Sequence, residues 1–251
     1  MKVLIIPDSH LQSWMFQVAD NIMEKYNYDQ VVVLGDLVDS HINGKDLTAY
    51  AKMFETCIEF ARKYKSKLIW LYGNHEVAYL DPYHCMCSGH NYEAEPLVTD
   101  YLHELIEVLG YTPKIAARID KVLFSHGGIA ETYDYVAITE KAELEGVLNT
   151  MIDTLNSKRY QSLWELNSPI WYRPNDCIFP SAMDGCIQVA GHTPMKVPYL
   201  FHNLLLVDTF YPGGFNLFPV LDTETYVVTY IDTNLDIVDI DADSFAKYRN
   251  S

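Results

Sequence analysis

VVVLGDLVDSH, residues 31–41, runs from four apolar residues into a glycine and then sets two aspartates three positions apart, Asp36 and Asp39. A short apolar run closed by glycine reads as a fully buried strand. Carboxylates at the end of such a strand need something to hold, because an unpaired buried charge is costly. The neighbouring segments repeat the pattern. KVLIIP (2–7) and SKLIWLYG (66–73) read as strands on either side. Helical apolar spacing lies between them, through Leu11, Met15, Val18, Ile22 and Tyr26 over 11–26, and through Leu47, Tyr50, Phe54, Ile58 and Ala61 over 46–64. Strand, helix and strand at these lengths predict parallel βαβ units, whose ligands collect at the carboxyl ends of the strands.

Further along, 95–109 and 139–166 read as helices, and KIAARID (114–120) and KVLFSHGG (121–128) as strands around a tight turn. CIQVAGH, NLLLVDT, FNLFPVLD, TYVVTYID and LDIVDID make a strand-rich tail with short turns, so the sheet is mixed or joined by a second one. The stretch 81–94, DPYHCMCSGHNYEA, is the longest unassigned loop and is placed at the border of a site.

Composition narrows the function. The 251 residues are 49% hydrophobic, enough to bury one sizeable core, and a single domain over 1–251 is expected. Thirty-four acidic residues against 18 basic ones give a net charge of −16. Such a surface repels phosphate backbones and anionic lipid, which argues against general nucleic-acid or membrane-surface binding. Five widely spaced cysteines, an odd number, suit reduced thiols in a cytosol. The start, MKVLIIPDSH, is interrupted too soon for a signal peptide, and a soluble cytoplasmic protein is expected.

Five strand ends carry residues that metals favour: Asp8 and His10, Asp36 and Asp39, Asn74 and His75, His126, and His192. Each alone has an ordinary explanation. Asp-Ser-His suits a helix N-cap, and Gly-Asp or Gly-Asn a turn. A parallel sheet brings such ends to one edge, however, and imidazole, carboxylate and amide oxygen together suit a borderline divalent metal such as Mn, Fe or Zn.

Taken in order, Asp8-x-His10, Gly35-Asp36-x-x-Asp39, Gly73-Asn74-His75-Glu76, Ser125-His126-Gly127-Gly128 and Gly191-His192 resemble the calcineurin-like metallophosphoesterases. The wording is nearest the branch of the serine/threonine phosphoprotein phosphatases and dinucleoside tetraphosphatases. The resemblance implies an α/β fold, a four-layer α/β/β/α sandwich of two mixed sheets flanked by helices. It also implies two divalent metals, manganese first, sharing a hydroxide that attacks a phosphorus. Asp8 and His10 then hold the first metal, Asp36 bridges, and Asn74, His126 and His192 hold the second. His75 becomes the general acid and Asp39 its orienting partner, while Glu76 braces the loop or simply starts a short helix. The implied substrates are a phosphorylated protein, a small phosphorylated molecule or a nucleotide.

Two positions depart from the family pattern. Pro194 stands where many members carry a second histidine after Gly-His, and Ser40 where the protein phosphatases carry a phosphate-gripping arginine. Arg173, in SPIWYRPND, is the candidate replacement; packing on Trp171 or Tyr172 is its alternative. Arg118 reads as structural. Cys85-x-Cys87 lacks a second cysteine pair for a zinc site, so its loop is expected over the active site instead.

Overall fold

Strand β1 (Lys2–Ile6) is buried from Val3 to Ile6, because both of its faces are covered. It belongs to a computed structural model that describes residues 1–81, 87–133, 153, 156, 163–175, 177–180 and 186–240. After β1 come α1 (Trp14–Tyr26), β2 (Gln30–Val33), α2 (Leu47–Tyr64), β3 (Leu68–Trp70), α3 (Asn74–Leu80) and α4 (Glu95–Leu109). Then follow β4 (Ala116–Ile119), β5 (Val122–Ser125), β6 (Ile187–Ala190), β7 (Tyr199–Phe201), β8 (Leu204–Leu206), β9 (Phe218–Asp222), β10 (Val228–Ile231) and β11 (Ile237–Val238).

Among the described residues the strands form two sheets, ordered β11-β10-β9-β1-β2-β3 and β4-β5-β6-β8-β7. Both are mixed. In the first, β1, β2 and β3 run parallel and β9 pairs antiparallel with β1. In the second, β5, β6 and β8 run parallel between antiparallel β4 and β7. The architecture is the expected α/β arrangement of two mixed sheets flanked by helices.

The alternation of side chains along a strand sorts the core into layers. Leu4 and Ile6 of β1 face α1, α2 and α4, with Phe16, Phe54, Trp70 and Leu102. Val3 and Ile5 face the other sheet and pack with Val32, Phe124, Val189, Leu205 and Val207. Leu204 and Leu206 turn to the far face and meet Ile129, Tyr133 and Tyr172.

Several boundaries differ from expectation. Helix α1 begins at Trp14, not Leu11. The N–H groups of Ser9 and His10 bond to the Asp36 carbonyl, and that of Leu11 to the Leu37 carbonyl, which ties this segment to the end of β2 instead. Leu11 stays buried, so its apolar spacing is real although its backbone is not helical. The short helix offered as one reading of Glu76 is present as α3, starting two residues earlier at Asn74, and the edge strand β7 is an additional element. The expected helix over 139–166 falls largely outside the described residues, as do 82–86 of the long loop. No helix among the described residues is long and apolar enough to cross a membrane.

Candidate metal centre

The parallel strands deliver Asp8, Asp36, Asn74, His126 and His192 to one edge, each one to four residues beyond its strand. The turns that do this are tight. His10, Asp36, Asp39 and His192 all have positive φ, at 42°, 52°, 61° and 58°. Asp and His tolerate this region better than most residues, but four such positions together mark stored backbone strain of a kind that clusters at functional sites. Two glycines make room. A Cβ on Gly73 would collide with Asp36 Oδ1, and one on Gly191 with Asp8 Oδ1. In both places the histidine just downstream holds that carboxylate by its backbone: His75 N–H donates to Asp36 Oδ1 at 3.0 Å, and His192 N–H to Asp8 Oδ2 at 2.9 Å.

His126 is the hub. Its Nε2 lies 2.9 Å from Asn74 Oδ1, 3.1 Å from Asp36 Oδ2 and 3.2 Å from His192 Nδ1. Its Nδ1 lies 2.9 Å from the Leu34 carbonyl, which can only accept, so Nδ1 carries a proton and Nε2 is the nitrogen turned to the cluster. Burial would lower the His126 pKa, but Asp36 and Asp8 outweigh it and raise it to about 9. Burial works against the Asp36 anion too, yet His126 and His75 hold it well below the usual carboxylate range. Burial, His126 and Arg173 together keep His192 neutral. Asp8 is pushed up to about 6 by burial, against the pull of His126 and with the help of Asp36.

His10 Nε2 lies 3.9 Å from Asp36 Oδ2, on the other side of the cluster. So does His75 Nε2, and distance alone does not separate the two imidazoles. Their other nitrogens do. His10 Nδ1 faces the carbonyls of Val38 and Asp39, while His75 Nδ1 meets the Asp39 carboxylate at 2.9 Å. Asp39 also accepts the hydroxyls of Tyr50 at 2.8 Å and Tyr79 at 2.5 Å, both on Oδ1. Three donors thus fix a fully buried carboxylate. Burial disfavours charge on His75, but Asp36 and Asp39 outweigh it and raise its pKa.

Glu76, the third residue of α3, does more than begin a helix. Its Oε2 accepts the N–H groups of Asp36 and Gly73, each at 2.8 Å, and its Oε1 those of Leu37 at 2.7 Å and Val38 at 3.3 Å. One buried carboxylate therefore shapes the loop that opened the sequence. Replacing Glu76 with Gln turns an amide NH₂ toward N–H donors that have no other acceptor. At about 1–3 kcal/mol per unsatisfied group, the variant should lose about 3–5 kcal/mol. Its melting temperature should fall by roughly 6–20 °C. A thermal melt within about 3 °C of the parent would contradict this role.

The sequence model of the calcineurin-like phosphoesterase family matches residues 1–219. The chain belongs to that family. No curated protein matches it by sequence. Among solved structures, it is similar to a protein serine/threonine phosphatase from Saccharomyces cerevisiae, itself described as similar to human phosphatase PP5. Identity is 15%, coverage 96% of this chain and 82% of that one, and the TM-score 0.54. The Escherichia coli phosphoesterase YfcE superposes at 14% identity over 95% and 97% of the two chains, with a TM-score of 0.44. A novel archaeal phosphodiesterase does so at 14% over 95% and 100%, with a TM-score of 0.41. The likeness to the yeast protein is one of fold.

Members of this phosphoesterase family are metal-dependent phosphoester hydrolases. The donors here fit a divalent cation. Asp36, His126 and His192 bring one carboxylate oxygen and two imidazole nitrogens within 4.8 Å of one another, and His10, Asp36 and His75 form a second such group. Donor separations of about 3 Å are those between neighbouring ligands of a six-coordinate ion with bonds near 2.1 Å, and a four-coordinate ion needs only slightly more, about 3.4 Å.

All of these donors but the fully buried His126 line a cavity of about 1090 Å³, together with Arg173, Pro194, Trp171, Trp14 and Phe210. Arg173 is exposed there, near enough for its charge to act on His192. The Ser40 hydroxyl accepts the N–H groups of Ile42 and Asn43 and folds the loop after Asp39. Arg118 bonds to the Asp120 carbonyl in the β4–β5 turn, a structural position. Cys87, given no role by sequence, receives the Asn74 Nδ2–H at 3.1 Å and so turns Asn74 Oδ1 toward His126. Cys85 lies outside the described residues.

Proposed function

We propose that this phosphoesterase hydrolyses phosphomonoesters at a site for two divalent cations. Asp8, His10 and Asp36 hold the first cation, and Asp36, Asn74, His126 and His192 the second. The mixed nitrogen and oxygen donors suit manganese, with iron or zinc as alternatives. Such a pair supplies a nucleophile from water at neutral pH and a clamp on the phosphoryl group. The supporting observation is the donor cluster around His126 set beside the buried Asp39–His75 pair. Asp39 holds His75 Nδ1, which leaves Nε2 on the cavity side to protonate the leaving oxygen. Arg173 grips the phosphate from the rim, the task Ser40 cannot perform. Phosphoserine or phosphothreonine in a protein, or a small phosphorylated molecule, is the substrate class.

The cavity is far larger than one phosphate needs, and Trp14, Trp171 and Phe210 line it. That favours a second reading, a dinucleoside polyphosphate whose base stacks on the wall. A panel of an aryl phosphomonoester, a phosphoserine peptide and diadenosine tetraphosphate, each with added manganese, separates the two. Preferred turnover of the monoesters is expected; turnover of the tetraphosphate alone would overturn the first reading. Arg173→Ala should raise KM by about 10–100-fold, the worth of one charged hydrogen-bonding pair, and leave metal content unchanged. An unaltered KM would remove Arg173 from the site.

A further inference from the structure

A sixth strand end reaches this edge of the sheet. Strand β8 pairs in parallel with β6, with Leu206 beside Ala190, and Val207 N–H donates to the Ala190 carbonyl at 2.9 Å. Asp208 therefore lies two residues beyond β8, as His192 lies two beyond β6. Met195 N–H donates to the Asp208 carbonyl at 2.7 Å, which brings the neighbouring Pro194 alongside. Asp208 lines the same cavity as Asp8, His10 and Pro194, and only 4% of it is exposed.

Its surroundings do not explain its charge. The carboxylate accepts the Phe210 N–H, and the cationic groups facing it are the imidazoles of His10 and His126. No lysine or arginine among the described residues pairs with it. Asp8, just as buried, acts on it unfavourably. Buried carboxylates packed together without a basic partner are ordinarily paired or hold metals.

We propose that Asp208 supplies the first cation with the protein group that Pro194 withholds. The inference rests on the two-cation reading above. Asp8, His10 and Asp36 alone give that cation three protein ligands, and a carboxylate on the Pro194 side adds one that is anionic. It reaches the cation directly or through one bridging water. A group in this role typically changes metal affinity by 10–100-fold.

Manganese titration of the wild-type chain and of Asp208→Asn, followed by the electron paramagnetic resonance of free Mn²⁺, tests this without reference to turnover. Wild type should bind two ions. Asp208→Asn should keep one affinity and lose at least 10-fold in the other. Two ions bound by both proteins with affinities within 2-fold would overturn the assignment of Asp208 and leave the two-cation site standing. Failure of the wild type to bind two would overturn both. Asparagine keeps the size of the side chain and an acceptor for Phe210. If that variant still does not fold, a crystal structure of the manganese-loaded wild type decides. A carboxylate oxygen within about 4.5 Å of the first ion, the reach of a metal–oxygen bond plus one hydrogen bond, supports the proposal. A longer distance refutes it.

Discussion

Asp36→Asn should cost at least about a thousandfold in turnover with manganese present, equivalent to about 4 kcal/mol of transition-state stabilisation. Among the described residues Asp36 is the carboxylate shared by both donor groups, with Oδ2 at 3.1 Å from His126 and 3.9 Å from His10. Asparagine keeps an oxygen for the His75 N–H, so the loop should survive while the charge between the two sites is lost. The substitution also has a reporter besides activity. Asp36 is the largest influence raising the His126 pKa, and Asp8 comes next. Without Asp36, burial gains on the remaining carboxylates and the His126 pKa must fall from about 9. Imidazole resonances of the metal-free protein, followed against pH, should show that downward move. A variant retaining a tenth of wild-type turnover would exclude Asp36 as a bridge between cations.

How much of this centre could be seen beforehand depended on whether its cause was local. The apolar runs ending in Asp36, His126 and His192 were legible because buried strands leave continuous hydrophobic stretches. Their convergence followed from parallel pairing, which βαβ spacing predicts. Asp208 escaped notice because VDT closes its strand without the glycine or histidine that marked the other ends. The four N–H groups gathered by Glu76 come from Gly73 and from a loop some forty residues away, and no periodicity records such a contact. Cys87 holds Asn74 across an irregular loop, where sequence patterns are weakest. Helix α1 shows the converse failure. Leu11 keeps the helical apolar spacing, but hydrogen bonds from residues 9–11 to Asp36 and Leu37 pull it out of the helix.

The strain at the site has the same origin. His10, Asp36, Asp39 and His192 adopt positive φ because each strand end must turn at once to bring its side chain to a shared point. Conformations of this kind cost of order 1–3 kcal/mol each and persist only when their surroundings over-determine them. Here those surroundings are named groups: Glu76 on the Asp36 loop, Asp8 on the His192 N–H, and Tyr50 with Tyr79 on Asp39. Stability in this corner and the geometry of the donors are therefore the same property.

His75→Ala separates the two readings that distance leaves open. His75 and His10 stand equally far from Asp36 Oδ2, so either could bind a cation. Their second nitrogens set them apart. His75 Nδ1 is committed to a carboxylate that also takes two tyrosine hydroxyls, an arrangement that favours the charged imidazolium. A general acid needs that form. His75→Ala should therefore lower kcat by about 10²–10⁴-fold, the usual contribution of a positioned proton donor. Both manganese ions should stay bound with affinities like those of the wild type. The pH profile adds the sign. The acid works only while protonated, so wild-type kcat should fall as pH rises through the His75 pKa. Asp36 and Asp39 place that limb above the ordinary histidine value of 6.5. In His75→Ala the limb should disappear. Loss of one manganese together with activity would instead make His75 a ligand, and Asp39 the residue that orients it.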